Sequence, residues 1–184
     1  MKKLLVIVDM QNDFITGPLG SEAAKAIVNG VCDKIKRWNG CVIVTKDTHE
    51  TNYLDTLEGQ MLPIEHCIKN TDGWKICNEV KDALRAAEEN GINISFIDKS
   101  SFGSLKLAEI ATNMVLMDAN DKKWDEIEVC GLCTDICVVS NALILRAAFP
   151  NVKITVNSSL CAGTTAENHI HALETLKSCQ IEVV

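Results

Sequence analysis

The chain has 184 residues, of which 47% are apolar and 23% charged, and its formal net charge is −7. A chain of this length and composition can bury one hydrophobic core, so we predict a single domain over residues 1–184. The acidic balance argues against nucleic acid as a partner, and no apolar stretch predicts a membrane span. The apolar run Leu4–Val8 resembles a secretory signal but ends at Asp9, and nine cysteines without framework spacing indicate reduced thiols. We therefore expect a cytoplasmic protein.

Apolar runs and amphipathic segments alternate along the chain. Continuous apolar, β-branched runs predict buried strands at Leu4–Val8, Cys41–Thr45, Ile92–Ile97, Ile127–Cys130, Val152–Val156 and Ile181–Val184. Apolar residues at helical spacing predict helices over Ala23–Trp38, Ile76–Glu89, Leu105–Thr112, Ile136–Ala148 and Thr165–Ser178. This alternation is typical of a three-layer α/β/α fold, doubly wound around a mainly parallel sheet of six strands and Rossmann-like in type.

Two stretches have no clear period. The segment from Lys46 to about Lys75 is interrupted by glycine and proline, and a structureless stretch of that length in a compact domain is usually functional. The stretch Asn113–Trp124 predicts no definite element.

Polar residues follow the apolar runs at the carboxyl ends of the predicted strands. Asp9 follows the first strand, Lys99 the third, and Cys137 comes shortly after the fourth. Ligands of doubly wound sheets bind at this edge, and an acid, an amine and a thiol there suggest a base, a positioning cation and a nucleophile. Each residue also has a simpler interpretation, as a turn cap, a solvated lysine and a packed core cysteine respectively.

The turn Gly131–Asp135 joins the fourth strand to the next helix, and Thr134 is the expected N-cap. Cys137 then lies in the first helical turn, where unpaired N–H groups and the helix dipole favour negative charge. We expect a thiol at that place to ionise more easily than a free cysteine.

A metal site is predicted from a second group of residues. Asp47 and His49 have one residue between them in predicted extended backbone, so their side chains share a face. His66 would complete three ligands for a first-row metal ion. We name Glu58 as a further candidate ligand, although the spacing does not single it out from Asp55 or Glu65. The simpler interpretation of both histidines is surface exposure.

The cysteines Cys130, Cys133 and Cys137 permit two other interpretations. A zinc knuckle would need a second ligand pair of matching spacing, which the sequence lacks. A thioredoxin-like dithiol usually spans the start of a helix, whereas Cys130 lies in a predicted strand, so redox chemistry stays open as a minor alternative. His169 and His171 lie on the last predicted helix, and we expect both to be solvated.

Five motifs, taken in this order, resemble the isochorismatase-like cysteine hydrolases and, within that family, the nicotinamidases. They are Val8–Phe14, Asp47–His49, Pro63–Cys67, Lys99–Phe102 and Gly131–Val138. The resemblance covers nearly the whole chain and implies the isochorismatase-like form of the predicted fold. The first and last motifs are its most specific parts.

The resemblance implies a catalytic role for each residue at the strand ends. Cys137 would be the nucleophile, Asp9 the general base and Lys99 the third catalytic residue. A cis peptide bond is implied between Leu132 and Cys133, with the backbone N–H groups of Cys133 and Cys137 forming an oxyanion hole.

By the same resemblance, Asp47, His49 and His66 are the ligands of one divalent metal ion, with zinc expected first and iron or manganese as alternatives. Phe14 and Phe102 are implied as apolar walls of the substrate site. The three metal ligands are typical of nicotinamidases and are generally absent from the isochorismatase branch. The resemblance therefore favours a metal-dependent, homo-oligomeric nicotinamidase that serves NAD salvage.

Two other functions stay open at this point. One is a related hydrolase of another small amide or ureido compound, and the other is a redox or binding domain that keeps the fold without turnover. The sequence departs from many nicotinamidases in having no aromatic residue in Gln60–Pro63 and in carrying Cys133 at a position that is small in the family.

Overall fold

The computed structural model describes residues 1–117 and 123–184. Within these ranges, six strands form one sheet, at Lys3–Val8 (β1), Cys41–Asp47 (β2), Ile94–Lys99 (β3), Glu126–Leu132 (β4), Lys153–Ala162 (β5) and Glu182–Val183 (β6). The strand order is β3-β2-β1-β4-β5-β6, and each pair of neighbouring strands is parallel. The predicted doubly wound α/β sheet is therefore confirmed, and it is wholly rather than mainly parallel.

Helices cover both faces of the sheet. The described residues contain α-helices at Asn12–Ile15 (α1), Glu22–Arg37 (α2), Leu57–Met61 (α3), Asn78–Glu89 (α4), Leu105–Leu116 (α5), Val139–Ala148 (α6) and Ala166–Ser178 (α7). The helices α2 and α4 pack on each other, and α5, α6 and α7 pack in series. The right-handed connection that parallel strands almost always adopt places the first pair on one face and the series on the other. In the described part of the chain, every helix is too short or too polar to cross a bilayer.

The middle of the sheet forms the core. The residues of Leu4–Val8 have no solvent-exposed surface, as expected for a parallel strand covered on both faces. Helix α2 turns Ile27, Val31 and Ile35 inward, and its N-terminus is capped by the Ser21 side chain, which accepts a hydrogen bond from the Ala24 N–H at 3.0 Å.

Several elements differ in extent from the sequence-based expectation. The strand β2 continues to Asp47 and β3 ends at Lys99, so these two residues belong to the strands and are partners in the register. The long segment after β2 contains α3 and a 3₁₀ turn at Tyr53–Asp55 instead of lacking structure. Helix α5 continues into the stretch for which no element was predicted, and residues 118–122 of that stretch lie outside the described residues.

The sheet reverses its winding between β1 and β4. Successive strands run outward from β1 to β3 on one side and from β4 to β6 on the other. The last residue of β1, Val8, is in register with both Thr45 of β2 and Gly131 of β4. Ligands of doubly wound sheets bind in the crevice above this reversal point, where Asp9 and the turn after β4 both lie.

Gly131 allows β4 to approach β1 closely at the reversal point. Its φ is +120°, and a Cβ atom there would stand 2.1 Å from the Val8 carbonyl oxygen. Gly91 offers a matched comparison, because its φ is +85° but a Cβ atom would meet no atom within 4 Å. Of these two glycines, Gly131 alone combines a left-handed φ with a steric clash.

We expect Gly131→Ala to lower the free energy of unfolding by roughly 3 kcal/mol or more, because strain and overpacking add. Gly91→Ala should lower it by only about 1 kcal/mol, the cost of the backbone conformation alone. Urea-induced unfolding of both variants measures the difference. Equal losses would contradict the close approach of β4 to Val8.

Candidate active site

The three catalytic candidates from the strand ends lie together. The Lys99 Nζ atom is 2.7 Å from the Asp9 Oδ2 atom and 3.4 Å from the Cys137 Sγ atom. All three side chains are buried, with 0% exposure at Asp9, 4% at Lys99 and 5% at Cys137. A buried ammonium therefore joins a buried carboxylate to a buried sulfur.

Asp9 is held by the neighbouring strand β2. Its φ is +49°, an uncommon conformation for a residue other than glycine. The Asp9 N–H donates to the Thr45 carbonyl at 3.2 Å, and the Thr45 hydroxyl donates to Asp9 Oδ1 at 2.7 Å. Thr45 was not predicted as a site residue, although a hydroxyl at the carboxyl end of a buried strand was a signal for it.

Burial determines the protonation of these groups. It raises the pKa of Asp9 against the opposing charge of Lys99. Burial, and next the charge of Asp9, raise the pKa of the Cys137 thiol well above its usual value. Burial alone would lower the pKa of Lys99, but the charges of Asp9, Cys137 and Asp47 raise it, so the amine stays protonated. The expectation that the helix start makes the thiol ionise easily is therefore wrong.

Cys137 lies in a π-helical turn, Thr134–Val138, which leads directly into α6. The turn begins after Cys133, whose carbonyl accepts from the Val138 N–H at 3.0 Å, so Thr134 is not the N-cap. The Thr134 hydroxyl is instead 2.8 Å from His169 Nδ1. His169 is half-buried rather than solvated, and this contact ties α7 to the turn that carries Cys137, whereas His171 is exposed as expected. Single π turns inside helices are frequent at functional sites.

The residues before the π turn complete this part of the site. The peptide bond between Leu132 and Cys133 is cis. Leu132 is buried, and Cys133 is half-buried beside the same cavity as Cys137. Cys133 and Cys137 are free thiols, as is Cys130, which is fully buried in β4.

Asn141 on α6 holds Cys137 and the chain after β3 together. Its Nδ2 atom donates to the carbonyls of Cys137 at 2.8 Å and Phe102 at 3.2 Å, and its Oδ1 accepts from the Ser104 N–H at 3.0 Å. The side chain is fully buried. Asn141 was not predicted as a site residue, although a lone amide on an apolar helix face was a signal for it.

The predicted metal ligands form a second cluster next to the first. Asp47, His49, Glu58 and His66 each offer one ligand atom, and these atoms all lie within 4.8 Å of one another. The Asp47 Oδ2 atom is 3.0 Å from His49 Nε2 and 3.5 Å from His66 Nε2. The Glu58 Oε1 atom is 3.7 and 3.8 Å from the same two nitrogens. The structure thus brings Glu58 to the cluster.

Neighbouring groups orient these ligands. The His66 Nδ1 atom donates to the Ile64 carbonyl at 2.8 Å, so Nε2 is the nitrogen that faces the cluster. The Gln11 Oε1 atom accepts a hydrogen bond from the Asp47 N–H at 2.7 Å, and the Gln11 Nε2 atom donates to the Asp47 carbonyl at 2.8 Å. The Tyr53 ring packs 4.7 Å from the His49 ring and 5.0 Å from the His66 ring, between ring centroids.

The donor set fits a first-row divalent ion. Two imidazole nitrogens and two carboxylates match the ligands that zinc, iron and manganese accept. Burial opposes the charge on Asp47, but hydrogen bonds with His49 and His66 and the charge of Lys99 hold its pKa below the usual range. A charged carboxylate is therefore available for a cation.

A family model for the isochorismatase domain matches residues 3–184. The chain belongs to this family. It is 29% identical over 216 residues to a nicotinamidase of Schizosaccharomyces pombe, with 98% of this chain and 91% of that protein covered. Among solved structures it is similar to a nicotinamidase/pyrazinamidase from Bacillus subtilis, with a TM-score of 0.80, 24% identity and both chains fully covered. A pyrazinamidase from Pyrococcus horikoshii in complex with zinc has a TM-score of 0.76 at 22% identity, with 100% and 99% of the two chains covered.

One cavity of this isochorismatase domain reaches both clusters. It has a volume of about 350 Å³ and is lined by Cys137 and by three of the four cluster ligands, Asp47, Glu58 and His66. Phe14 and Phe102 line it as well, the first 7% and the second 46% exposed. The two aromatic residues named from the sequence therefore both border this cavity, one on its buried side and one near solvent.

We expect Lys99→Met to lower the free energy of unfolding of the metal-free domain by about 3–5 kcal/mol, because Asp9 and Asp47 lose their buried cation. Adding Asp9→Asn should recover part of this loss. Lys3→Met, which breaks a partly exposed pair with Glu126, should cost only about 0–1 kcal/mol. Urea unfolding in the presence of a chelator tests all three, and a Lys99→Met loss no larger than that of Lys3→Met would contradict the role of the buried pair.

Proposed function

We propose that this chain is a nicotinamidase, which converts nicotinamide to nicotinate and ammonia through a thioester on Cys137. The family match and the nicotinamidase relatives support a hydrolase that acts on amides. The observation that carries the narrower proposal is the shared cavity, in which the Cys137 sulfur and three donors of the ligand cluster face the same space. A reacting amide and a coordinating ring nitrogen could occupy it together.

The first chemical step uses the three buried residues Asp9, Lys99 and Cys137. Asp9 accepts the thiol proton of Cys137, and the sulfur attacks the carboxamide carbon to form a tetrahedral adduct. The raised pKa of Asp9 suits it to this proton transfer. Lys99 stays charged and stabilises the thiolate and the carboxylate in turn, from 3.4 and 2.7 Å.

The oxygen of the adduct carries the developing negative charge. We assign its stabilisation to the backbone N–H groups of Cys133 and Cys137, and each such donor contributes about 2.7–4 kcal/mol in a comparable site. Ammonia leaves with the proton held by Asp9. Water then adds to the thioester and gives a proton to Asp9, and this proton returns to the sulfur as the acid leaves. The acid loses its remaining proton to solvent and becomes nicotinate.

A divalent metal ion would be held by Asp47, His49, Glu58 and His66, with zinc proposed first and iron or manganese as alternatives. When bound, such an ion supplies a Lewis-acid site for the pyridine nitrogen and so orients the ring. Phe14 and Phe102 would contact the ring faces, since both line the cavity. A cytoplasmic location, a homo-oligomeric state and a role in NAD salvage remain expectations of the same proposal.

Cys137→Ala and Asp9→Asn should each reduce ammonia release from nicotinamide by about 10⁴-fold or more, because they remove the nucleophile and its base. Cys179→Ala, which changes a thiol outside the cavity, should leave the rate unchanged. An enzyme-coupled ammonia assay measures the rates of all three variants. Release from other amides only, with Asp47→Ala harmless, would favour the related amide or ureido hydrolase instead.

Glu58→Gln should weaken zinc binding by about 10-fold or more, because it removes one anionic ligand while keeping the side-chain volume. Glu65→Gln, an exposed neighbour in the same segment, should bind zinc like the unaltered chain. Competition with a chromophoric chelator reports both affinities. Chelation should abolish turnover before it unfolds the protein, whereas unfolding on chelation would indicate a structural metal.

A further inference from the structure

We propose that the metal ion reaches its ligands through a cavity of its own, separate from the cavity that admits the amide. This inference rests on the proposed metal site of Asp47, His49, Glu58 and His66. It concerns the path to that site and not the chemistry performed there, so it can be tested by the rates of metal uptake and release.

The second cavity has a volume of about 500 Å³ and lies where β2 and β3 end. His49 and Glu58 of the ligand cluster line it, together with Lys99. Among the described residues, Glu58 is the one that borders both this cavity and the cavity lined by Cys137. The ligand cluster is therefore bordered by two cavities, and Glu58 lines both of them.

The second cavity is suited to a cation. Glu50, Glu58 and Asp98 place carboxylates around the second cavity. Lys99 adds little opposing charge there, because it is buried and already pairs with two carboxylates at 2.7 and 3.2 Å. Asp98 pairs with Lys46 at 2.9 Å, so Glu50 and Glu58 are the acids available to an arriving cation. Carboxylates around a cleft raise the local concentration of cations.

The first cavity also reaches Asp47, Glu58 and His66, but most of its other lining residues are apolar. Phe14, Leu62, Phe102 and Ile136 give it apolar walls, which favour an uncharged aromatic amide over a hydrated ion. A dication that entered there would lose hydration against this apolar surface on its way to the buried Asp47 and His66. The charge distribution thus assigns the amide to the first cavity and the ion to the second.

Glu58 is the ligand best placed to receive the ion. Its side chain is 21% exposed, whereas those of Asp47, His49 and His66 are 2–7% exposed. It lies 3.7 and 3.8 Å from the two imidazole nitrogens, whereas Asp47 and His49 are already hydrogen-bonded to each other at 3.0 Å. It also belongs to the short helix α3, which spans five residues. An ion bound first by Glu58 can then pass to the three buried ligands.

The decisive experiment narrows each cavity separately and follows zinc uptake and release with a chromophoric chelator in a stopped-flow instrument. Ser100→Trp and Asn52→Trp narrow the second cavity, and Leu62→Trp narrows the first. We expect the first two variants to slow uptake and release alike by about 10-fold, with zinc affinity and the ammonia release of zinc-loaded protein unchanged. Leu62→Trp should leave both zinc rates unchanged and raise KM for the amide.

A charge change tests the same route without a bulky side chain. Glu50→Gln should slow zinc uptake roughly 3-fold at low ionic strength, and the difference should vanish at high salt. Glu65→Gln, which lies outside the second cavity, is the control with unchanged uptake. Slower zinc exchange in Leu62→Trp, with normal exchange in Ser100→Trp and Asn52→Trp, would overturn the separate route.

The outcome distinguishes this proposal from the proposed function. If zinc exchanges as expected but nicotinamide is not hydrolysed, the route stands and the substrate assignment falls. If nicotinamide is hydrolysed and zinc exchange responds only to Leu62→Trp, the function stands and the route falls. A chain that binds none of zinc, ferrous iron and manganese would overturn the metal site and the route together.

Discussion

The contacts of Lys99 hold the site together. One ammonium group lies 2.7 Å from Asp9, 3.2 Å from Asp47 and 3.4 Å from the Cys137 sulfur, and it is almost completely buried. Two buried carboxylates around one buried cation leave an excess of negative charge, which is costly in a dry interior. A divalent ion beside Asp47 would offset that excess. The proposed catalytic residues Asp9, Lys99 and Cys137 and the ligand cluster are therefore electrostatically dependent on each other, because Lys99 contacts both groups.

The strand order makes these contacts possible. Asp9 follows β1, Asp47 ends β2 and Lys99 ends β3, and these three strands are neighbours in the sheet. Asp47 and Lys99 are also partners in the register, so their side chains emerge side by side. Cys137 arrives from β4 across the reversal point, at the one place where the polar ends of both halves of the sheet face each other. A sheet wound in a single direction would place the sulfur two strands further from the acid.

Periodicity along the chain predicts the strands and helices. It does not predict contacts between side chains that are far apart in sequence. Buried runs and helical spacing are local signals, so strand ends such as Asp9 and Lys99 could be placed from the sequence alone. The bonds from Asn141 to Phe102 and from Thr134 to His169 join residues 39 and 35 positions apart, and no local pattern indicates them. Glu58 could not be separated from Asp55 or Glu65, because the orientation of α3 and not its spacing brings one acid to the histidines. The prediction of Thr134 as the N-cap was wrong, because the helical segment starts with a π turn that begins directly after Cys133.

The raised pKa of Cys137 has a consequence for a sulfur that lies so near a metal-binding cluster. Thiolates are strong ligands of zinc and of other first-row ions, whereas protonated thiols are poor ones. A cysteine ionised in the resting state would therefore compete with Asp47 and the two histidines for the ion. Burial and the charge of Asp9 keep the thiol protonated, and Lys99 places a positive charge between Asp47 and the sulfur. In the proposed mechanism, the same contacts would delay ionisation until Asp9 takes the proton and so keep the Cys137 sulfur separate from a metal ion.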